Sequence, residues 1–257
     1  MAPILLVARE PESYTDRLAF FLGDKTGGSV EPLRDRLALI RDRMAAAARR
    51  AGREADAVTL LAVTKGFGVE VAREAFALHL MDLGENRVQE AEGKIAAMGA
   101  GPRWHLIGHL QTNKAKRAVQ LFDEIHSVDS SRLAEDLARR AAAEGRTLRC
   151  YVEVRTTDEA TKSGVAREET HALLEHMRPL ESLRVAGLMT IGPLHGGSEG
   201  ARSSFRELRL LKDEAVRRGV LGADAGLSMG MSDDFEIAIE EGATVVRIGS
   251  ALFGPRS

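Results

Sequence analysis

The sequence predicts an α/β fold, a single (β/α)8 barrel of the TIM type. After residue 52, short apolar segments alternate eight times with amphipathic segments, several of which end at a glycine. Strands that are almost continuously apolar, each followed by a helix, indicate a parallel sheet covered by helices. Eight such units indicate a closed barrel, because closure leaves the sheet no exposed edge. The length of 257 residues is usual for one such domain.

The eight expected strands are short apolar runs separated by helical patterns. In chain order they are TLLAVTK (59–65), LMDLGEN (80–86), WHLIGHL (104–110), EIHSVDS (124–130), LRCYVEVR (148–155), VAGLMTIG (185–192), GLSMGM (226–231) and TVVRIG (244–249). A long helix precedes them, because apolar residues repeat at helical spacing from Leu33 to Ala51 and Gly52 then stops the pattern. We therefore expect a barrel over residues 31–257 and an N-terminal extension of uncertain order over residues 1–30.

The composition argues against several classes of partner. A formal net charge of −2 gives no reason to expect binding to nucleic acid or to a membrane. The longest apolar runs are too short to span a bilayer, and Arg9 and Glu10 interrupt the first of them, so we expect no secretory signal. The single Cys150 excludes an internal disulfide framework and a cysteine-based zinc site, which fits a reducing cytoplasm.

Lys65 is the first candidate site residue, because barrels of this class carry their sites at the C-terminal ends of the strands. Lys65 ends the first expected strand and shares a face with Leu61 and Val63. If those two residues fill the interior, the amine is partly desolvated, which lowers its pKa and makes it nucleophilic. Taken alone, the position favours a lysine at a strand end that reaches into water.

Arg247 strengthens the case. It shares a face with Val245 in the eighth expected strand, which neighbours the first strand in a closed barrel, so it is expected near Lys65. Two buried cations side by side are costly without an anionic partner. Few carboxylates are expected at inward-facing positions, so a bound anion is one explanation, and a salt bridge to Glu153 or Glu85 is the structural alternative.

A candidate anion site follows the seventh and eighth strands. Gly230 permits a tight turn, and Ser232 is expected to cap the helix that begins DDFEIAIEEG. Gly249 and Ser250 supply backbone N–H groups after the eighth strand. Phosphate sites in barrels often form between these two loops, although ordinary loops with ordinary caps have the same pattern. Together with the two basic residues, the loops suggest a phosphorylated aldehyde held at three points.

Other chemistries have weaker support. His105 and His109 are four residues apart on an expected strand, without an accompanying glutamate motif, so packed or hydrogen-bonded roles are expected and no metal site. The sequence contains no P-loop, no dinucleotide-binding glycine motif and no nucleophile elbow.

Seven segments carry a resemblance to a known family. In chain order from about Leu33 to Gly254, they are LLAVTK, LGENRVQEAEGK, WHLIGHLQTNKAK, IHSVDS, TKSGV, GLMTIGP and LSMGMSDDFEIAIEEGATVVRIGSALFG. On these segments the chain closely resembles the pyridoxal phosphate homeostasis proteins, also called the YggS or proline synthetase co-transcribed family. The resemblance implies the barrel of the alanine racemase N-terminal domain without the C-terminal β-domain of that enzyme, and pyridoxal 5′-phosphate (PLP) as cofactor.

The resemblance also implies roles for individual residues. Lys65 in AVTK is similar to the family's Schiff-base lysine, Arg247 in VRIG to the arginine facing the pyridine nitrogen, and Asn86 in GEN to the asparagine near the ring hydroxyl. Met189, at the end of the sixth strand, joins the expected cofactor site. The phosphate-binding segments match at Ser228, Gly230, Ser232, Gly249 and Ser250. The chain departs from many members in KGFGVE after Lys65, so the loop there is expected to differ.

The expected role is that of a carrier. An arginine facing the pyridine nitrogen weakens the ring as an electron sink, which disfavours transamination but permits racemisation. Alanine racemases take their second base, a tyrosine, from the C-terminal domain. Here Tyr14 lies in the extension, and Tyr151 and Cys150 lie at the start of the fifth strand, away from the expected site. We therefore expect a monomeric, non-catalytic protein that stores and delivers PLP in the cytoplasm, with transient contacts to PLP-dependent enzymes.

Two alternatives stay open. One is a small PLP-dependent amino-acid racemase or lyase that uses Tyr14 as a base. The other is an unrelated phosphate-ligand barrel, such as a sugar-phosphate isomerase, for which Glu85 is the obvious catalytic carboxylate.

Overall fold

Strands and helices alternate along the part of the chain described by the computed structural model, which is residues 32–157, 163–193 and 195–255. The strands are β1 (Thr59–Val63), β2 (Asp82–Glu85), β3 (Arg103–Leu106), β4 (Glu124–Val128), β5 (Leu148–Arg155), β6 (Val165–Ala166), β7 (Leu183–Met189), β8 (Gly226–Ser228) and β9 (Val245–Ile248). The helices are α1 (Leu33–Arg50), α2 (Val69–Ala77), α3 (Val88–Met98), α4 (Ala115–Leu121), α5 (Ser131–Ala143), α6 (Thr170–Met177), α7 (Gly197–Arg217), α8 (Phe235–Glu240) and α9 (Ser250–Phe253). The extension predicted over residues 1–30, with Tyr14, lies outside the described residues.

Eight of these strands form one closed, parallel barrel. Hydrogen bonds join them in the order β4, β3, β2, β1, β9, β8, β7 and β5, and β4 also pairs with β5, which closes the ring. The short β6 extends the sheet beside β5. β1 and β9 are neighbours, with Leu61 opposite Arg247. The predicted (β/α)8 barrel is therefore confirmed, as is the adjacency of its first and last strands.

Alternate side chains of the strands enter two separate packed regions. One set, including Ala62, Leu83 and Ile125, packs against the helices. The other set points into the barrel interior, and its apolar cluster consists of Leu61, Val63, Ile107, Tyr151, Ala186, Met189 and Val245. This division follows from the two-residue period of a strand, and it confirms the inward direction predicted for the apolar residues of the first and last strands. Burying each of the Leu, Val, Ile and Met side chains of this cluster contributes roughly 1.5–3 kcal/mol.

Seven of the eight predicted strands extend beyond the observed ones at their C-terminal ends, and the fifth matches its observed strand. β1 ends at Val63, two residues before Lys65, and β8 ends at Ser228, two residues before Gly230. At Gly66 and Gly230 the φ angles are +77° and +91°, so the chain turns out of the strand conformation there. Hydrophobic periodicity does not detect this change, because it reports burial and not ladder pairing.

Helix α1, which precedes the first strand, contacts the helices that follow the last two strands. Arg43 of α1 donates to both carboxylate oxygens of Glu236 in α8, at 3.0 and 2.9 Å, and its guanidinium lies over the Phe235 ring. Arg36 of the same helix donates to the carbonyl oxygen of Leu252 in α9. The helices that follow β8 and β9 are thereby anchored from outside the barrel. Of the helices in the described ranges, none has the length and apolar character needed to cross a membrane.

Candidate functional site

Lys65 lies in a turn just after β1, at the C-terminal end of the barrel, and is half-buried. The residues on both sides of it are held by hydrogen bonds. The carbonyl oxygen of Thr64 accepts from Lys94 Nζ at 2.7 Å, and the N–H of Gly66 donates to the Glu90 carboxylate. The backbone around Lys65 is therefore fixed, which restricts the region that its amine can reach.

A buried ion pair supports this turn from outside the barrel. Glu85 is fully buried, and its Oε1 accepts from Lys94 Nζ at 2.6 Å and from the Thr64 hydroxyl at 2.5 Å. Leu83, two residues earlier in β2, packs against the helices, so Glu85 faces the same side. Burial raises the pKa of Glu85, and Lys94 opposes that rise. The structure therefore contradicts the two alternatives in which Glu85 pairs with Arg247 or serves as a catalytic carboxylate at the barrel mouth.

Replacing Lys94 tests this support. Lys94→Met keeps most of the side-chain volume but leaves the Glu85 carboxylate buried without its cation. Breaking a buried ion pair costs about 3–5 kcal/mol, so we expect the free energy of unfolding in urea to fall by that amount. Lys116→Met, on the exposed face of α4, is the matched control and is expected to change it by less than about 0.5 kcal/mol. Equal stability of the two variants would contradict the role given to Lys94.

Arg247 lies inside the barrel with 4% of its surface exposed. Its Nη1 donates to the carbonyl oxygen of Ser228 at 2.7 Å and to the hydroxyl of Ser228 at 2.9 Å, and its Nη2 donates to the carbonyl oxygen of Thr190 at 2.8 Å. Burial lowers the pKa of Arg247 to about 10, and the charges of Glu153 and Asp234 oppose the shift. The guanidinium therefore stays charged at neutral pH.

Within the described ranges, Arg247 forms no salt bridge with Glu153 or Glu85, the two carboxylates considered as alternatives to a bound anion. Glu153 does lie in the interior, 2% exposed, but its Oε1 accepts from the Ser163 hydroxyl at 2.8 Å. Neutral oxygen acceptors, and not carboxylates, hold the Arg247 guanidinium. Burial raises the pKa of Glu153, and the Ser163 hydroxyl opposes the rise.

A continuous chain of hydrogen bonds leads from Arg247 down through the barrel interior. The Ser228 hydroxyl that accepts from Arg247 lies 2.9 Å from Nδ1 of His126. Nε2 of His126 lies 3.1 Å from Nδ1 of His105, and Nε2 of His105 lies 3.0 Å from Oδ1 of Asp82. Ser228 is thus bonded inside the barrel and is fully buried, so its hydroxyl belongs with Arg247 and not with the phosphate-binding segments predicted for it.

Carboxylates at the N-terminal end of the interior anchor this chain, contrary to the expectation that few would point inward. Arg103 donates to both oxygens of Asp82 at 2.7 Å, and Arg149 donates to Glu124 at 2.7 Å. Burial alone would raise the pKa of Asp82, but hydrogen bonds from His105 and Arg103 lower it to about 2. Burial would likewise raise the pKa of Glu124, but interactions with His126, His105 and Arg149 lower it to about 2.

The interior histidine gives the stability a specific pH dependence. Burial lowers the pKa of His126 to about 4 from its usual 6.5, with Glu124 opposing the shift. Between these values the unfolded chain binds a proton that the folded chain does not, so stability is lost as the pH falls from about 6.5 towards 4. We expect a loss of about 3 kcal/mol from this group in urea unfolding across that range.

His126→Phe keeps a ring against Tyr151 and is expected to flatten the pH dependence between about 6.5 and 4.5. Asp82 and Glu124 contribute mostly below that window, because their pKa values are lowered to about 2 from 3.8 and 4.5 respectively. The exposed His176→Phe is the control and should retain the wild-type slope. An unchanged slope in His126→Phe would show that this ring is not held neutral by burial.

The turn after β8 requires glycine at position 230. Its φ angle is +91°, and a Cβ there would lie 2.5 Å from the Cβ of Ala238 in α8. Gly249 and Ser250 follow β9, and Ser250 is exposed at the start of α9. The two loops that the sequence predicts as an anion site are thus both at the C-terminal end of the barrel.

Ser232 does not cap α8, so that prediction is wrong. The helix begins later, at Phe235, and Asp234 occupies the N-cap position, where its Oδ1 accepts from the N–H of Met231 at 2.6 Å. The hydroxyl of Ser232 instead accepts from the N–H of Ala251 at 3.1 Å. Ser232 therefore links the loop after β8 to the loop after β9, which fixes the spacing between the two predicted phosphate-binding segments.

Asn86 and Met189 occupy other parts of the same end. Asn86 follows β2 and is half-buried, and its backbone touches Gly108, where a Cβ would lie 2.4 Å from the Asn86 carbonyl oxygen. Glycine at position 108 therefore lets the loops after β2 and β3 meet. Asn86, His109 and other residues of these loops line a depression of about 310 Å³. Met189 is fully buried in the barrel interior.

The N–H groups that Arg247 leaves unused fit a ligand with an acceptor such as a ring nitrogen, and the unpaired carboxylate oxygen in the neighbouring cavity can accept from a donor of the same ligand. Beside the ends of β5 and β7 lies a cavity of about 210 Å³ lined by Glu153, Thr157, Thr190 and others. Within the described ranges, Glu153 Oε2 and Thr157 Oγ1 are buried without a hydrogen-bond partner. Arg247 uses three of its five N–H groups, and the remaining two, Nε–H and one on Nη2, share one edge.

The interior chain of hydrogen bonds is not predicted from the sequence above, although the sequence contains one signal for it. Glu124 and His126 are two residues apart in β4, so they share a face by the rule that was applied to Lys65. His105 was considered with His109, but the structure separates them, since His109 is exposed and lies 3.3 Å from Asp129. Which residue pairs with His105 depends on the register between β3 and β4, which one sequence does not state.

Comparisons with known proteins agree on one family. The profile of the alanine racemase N-terminal domain matches residues 36–257. The pyridoxal phosphate homeostasis protein of Aquifex aeolicus is 43% identical over 223 residues, which cover 86% of this chain and 97% of that protein. The protein of the same name from Escherichia coli K12 is 37% identical over 234 residues and is covered to 95%.

Solved structures give the same result for the fold. PipY of Synechococcus elongatus with PLP bound is similar with a TM-score of 0.76 and 36% identity, over 87% of this chain and 100% of PipY. Alanine racemase of Clostridium difficile is similar with a TM-score of 0.71 and 18% identity, over 88% of this chain and 57% of the racemase. At that identity the racemase supports the shared barrel alone.

Proposed function

Because this chain belongs to the family of pyridoxal phosphate homeostasis proteins, we propose that it binds PLP at the C-terminal end of its barrel and serves PLP homeostasis. PLP supplies an aldehyde, a phosphate and a pyridine nitrogen. The observation that carries the proposal is the buried Arg247, which has one edge of N–H donors left for a ligand. Arg247 lies in β9, and the neighbouring β1 leads to Lys65. That arrangement suits a ring held between the two basic residues.

Lys65 is the proposed attachment point. Its amine condenses with the aldehyde carbon, forming a C=N bond and releasing one water, and hydrolysis of that bond returns both partners unchanged. The hydrogen bonds at Thr64 and Gly66 hold the turn for this attack. A reversible bond of this kind is what storage and delivery require.

The phosphate is proposed to lie between the loops after β8 and β9, at Gly230, Ser232, Gly249 and Ser250. Backbone N–H groups in such loops bind phosphate oxygens well. Ser232 supports this placement by joining the two loops through Ala251. Asn86 and Met189 are proposed to border the ring, from the loop after β2 and from the interior respectively.

A carrier role is favoured over racemisation. Tyr151 lies in the barrel interior against His126, and burial raises the pKa of its hydroxyl to about 12. Cys150 packs on the helix side, fully buried, and burial raises the pKa of its thiol to about 12. Within the described ranges neither group is available as a second base at the barrel mouth. We propose a cytoplasmic monomer that passes PLP to other enzymes through transient contacts, with a small racemase as the alternative.

Reduction of the bound cofactor tests the attachment. Purified protein incubated with PLP is expected to show a yellow imine band, and borohydride reduction should leave a pyridoxyl group on the peptide containing Lys65. Lys65→Ala should lose the band and the adduct. Lys114→Ala, a lysine of the nearby depression, should keep both. An adduct that persists elsewhere in Lys65→Ala would disprove the assignment of Lys65.

Exchange of the α-hydrogen separates carrier from racemase. We expect no incorporation of solvent deuterium into L- or D-alanine beyond that caused by free PLP. Exchange that depends on the protein and disappears in Tyr14→Phe would instead support the racemase.

A further inference from the structure

The hydrogen-bonded chain in the barrel interior has chemically fixed ends. At one end the Arg247 guanidinium can only donate, and at the other an ionised Asp82 carboxylate can only accept. Asp82 is held ionised by Arg103, which donates to both of its oxygens. The direction of each bond between these ends can therefore be derived from the residues in turn.

Asp82 determines the direction of the first bond. His105 must carry a proton on Nε2, because Asp82 can only accept it. In a neutral ring the Nδ1 of His105 is then an acceptor, so His126 donates to it from Nε2. The Nδ1 of His126 in turn accepts the hydroxyl proton of Ser228, and the Ser228 oxygen accepts from Arg247. Every bond in the chain runs in one direction, from Arg247 to Asp82.

The reverse arrangement leaves a buried proton without an acceptor. If His105 carried two protons, it would donate to His126, and His126 would donate from Nδ1 to Ser228. The fully buried Ser228 hydroxyl contacts only His126 and Arg247 within the described ranges, and Arg247 cannot accept. A buried donor without a partner is costly, so the arrangement in which every proton is bonded is favoured.

A metal ion is not needed to explain the cluster. Glu124 Oε2 lies 3.8 Å from His105 Nδ1 and 3.7 Å from His126 Nε2, a spacing that metal ligands also have. The two ring nitrogens, however, are already hydrogen-bonded to each other at 3.1 Å. Arg103 and Arg149 also neutralise the neighbouring carboxylates, so an added dication would enter a region without spare negative charge.

We propose, building on the PLP binding proposed above, that Ser228 and His126 are positioning residues that fix the free edge of the Arg247 guanidinium for the ring nitrogen. With its proton given to His126, the Ser228 hydroxyl keeps a lone pair for Arg247 and leaves no buried proton without an acceptor. His105 and Asp82 in turn hold His126 in the tautomer that accepts this proton. The chain therefore sets the orientation of Arg247 from the far end of the barrel.

Nitrogen-15 NMR of the full-length protein, labelled in histidine, tests the direction of the chain without any cofactor. At neutral pH both rings are expected to be neutral, with Nε2 protonated and Nδ1 bare, and Ser228→Ala identifies the His126 signals by shifting its Nδ1. A proton on Nδ1 of His126, or two protons on His105, would overturn the proposal.

A double-mutant cycle on PLP affinity tests the positioning role. Ser228→Ala keeps the backbone carbonyl bond to Arg247, and His126→Phe keeps the ring against Tyr151. Each single change is expected to raise the dissociation constant about tenfold. Because the two residues act through one chain, the double variant should bind about as well as either single variant.

Two other outcomes are decisive in the same experiment. A rise of about a hundredfold in the dissociation constant of the double variant would mean that the two residues act independently, which would overturn the proposal. The exposed His176→Phe should leave the dissociation constant unchanged. If wild-type protein forms no imine with PLP, the proposed function fails, whereas the NMR result on the chain is unaffected.

Discussion

The burial of the Arg247 guanidinium is the constraint on which the interior of this barrel depends. A guanidinium keeps its charge at neutral pH and must find acceptors when it is removed from water. The barrel supplies two carbonyl oxygens and the hydroxyl of Ser228 as these acceptors. A chain of hydrogen bonds begins at that hydroxyl and ends at the Asp82 carboxylate. An interior that could have been filled with aliphatic side chains is instead partly polar.

Two networks on opposite faces of the sheet hold the two basic residues of the site. Inside the barrel, the chain through His126 and His105 holds Arg247. Outside it, beneath the helices, the buried pair of Glu85 and Lys94 holds the turn that carries Lys65. Because the strands leading to the two residues are adjacent, each network fixes one side of the same site. A rigid site of this kind lowers the entropy that must be lost when a ligand binds.

The sequence predicted the parts of the structure that follow from periodicity. The barrel, the inward direction of Leu61 and Val63, and the adjacency of β1 and β9 all depend on the alternation of side chains and on closure of the sheet. The ends of the strands were not predictable in this way. Lys65 lies beyond its strand because the chain turns at Gly66, and turning depends on backbone conformation more than on hydrophobicity.

Other features depended on contacts between distant segments. Ser232 has the composition of a helix cap, but its hydroxyl bonds to Ala251 after the next strand, and Asp234 takes the cap position. The register of neighbouring strands determines the partner of His105. The sequence could therefore place His126 on the inner face, but it could not predict the hydrogen bond between His126 and His105. Local patterns cannot report such pairings, because they arise only when the barrel closes.

The most direct test of the central claim is a crystal structure of the protein soaked with PLP. We expect electron density continuous from Lys65 Nζ to the ring, the ring nitrogen against the free edge of Arg247, and the phosphate between the loops after β8 and β9. Density for PLP elsewhere on the molecule, or a ring whose nitrogen points away from Arg247, would contradict the account of this site.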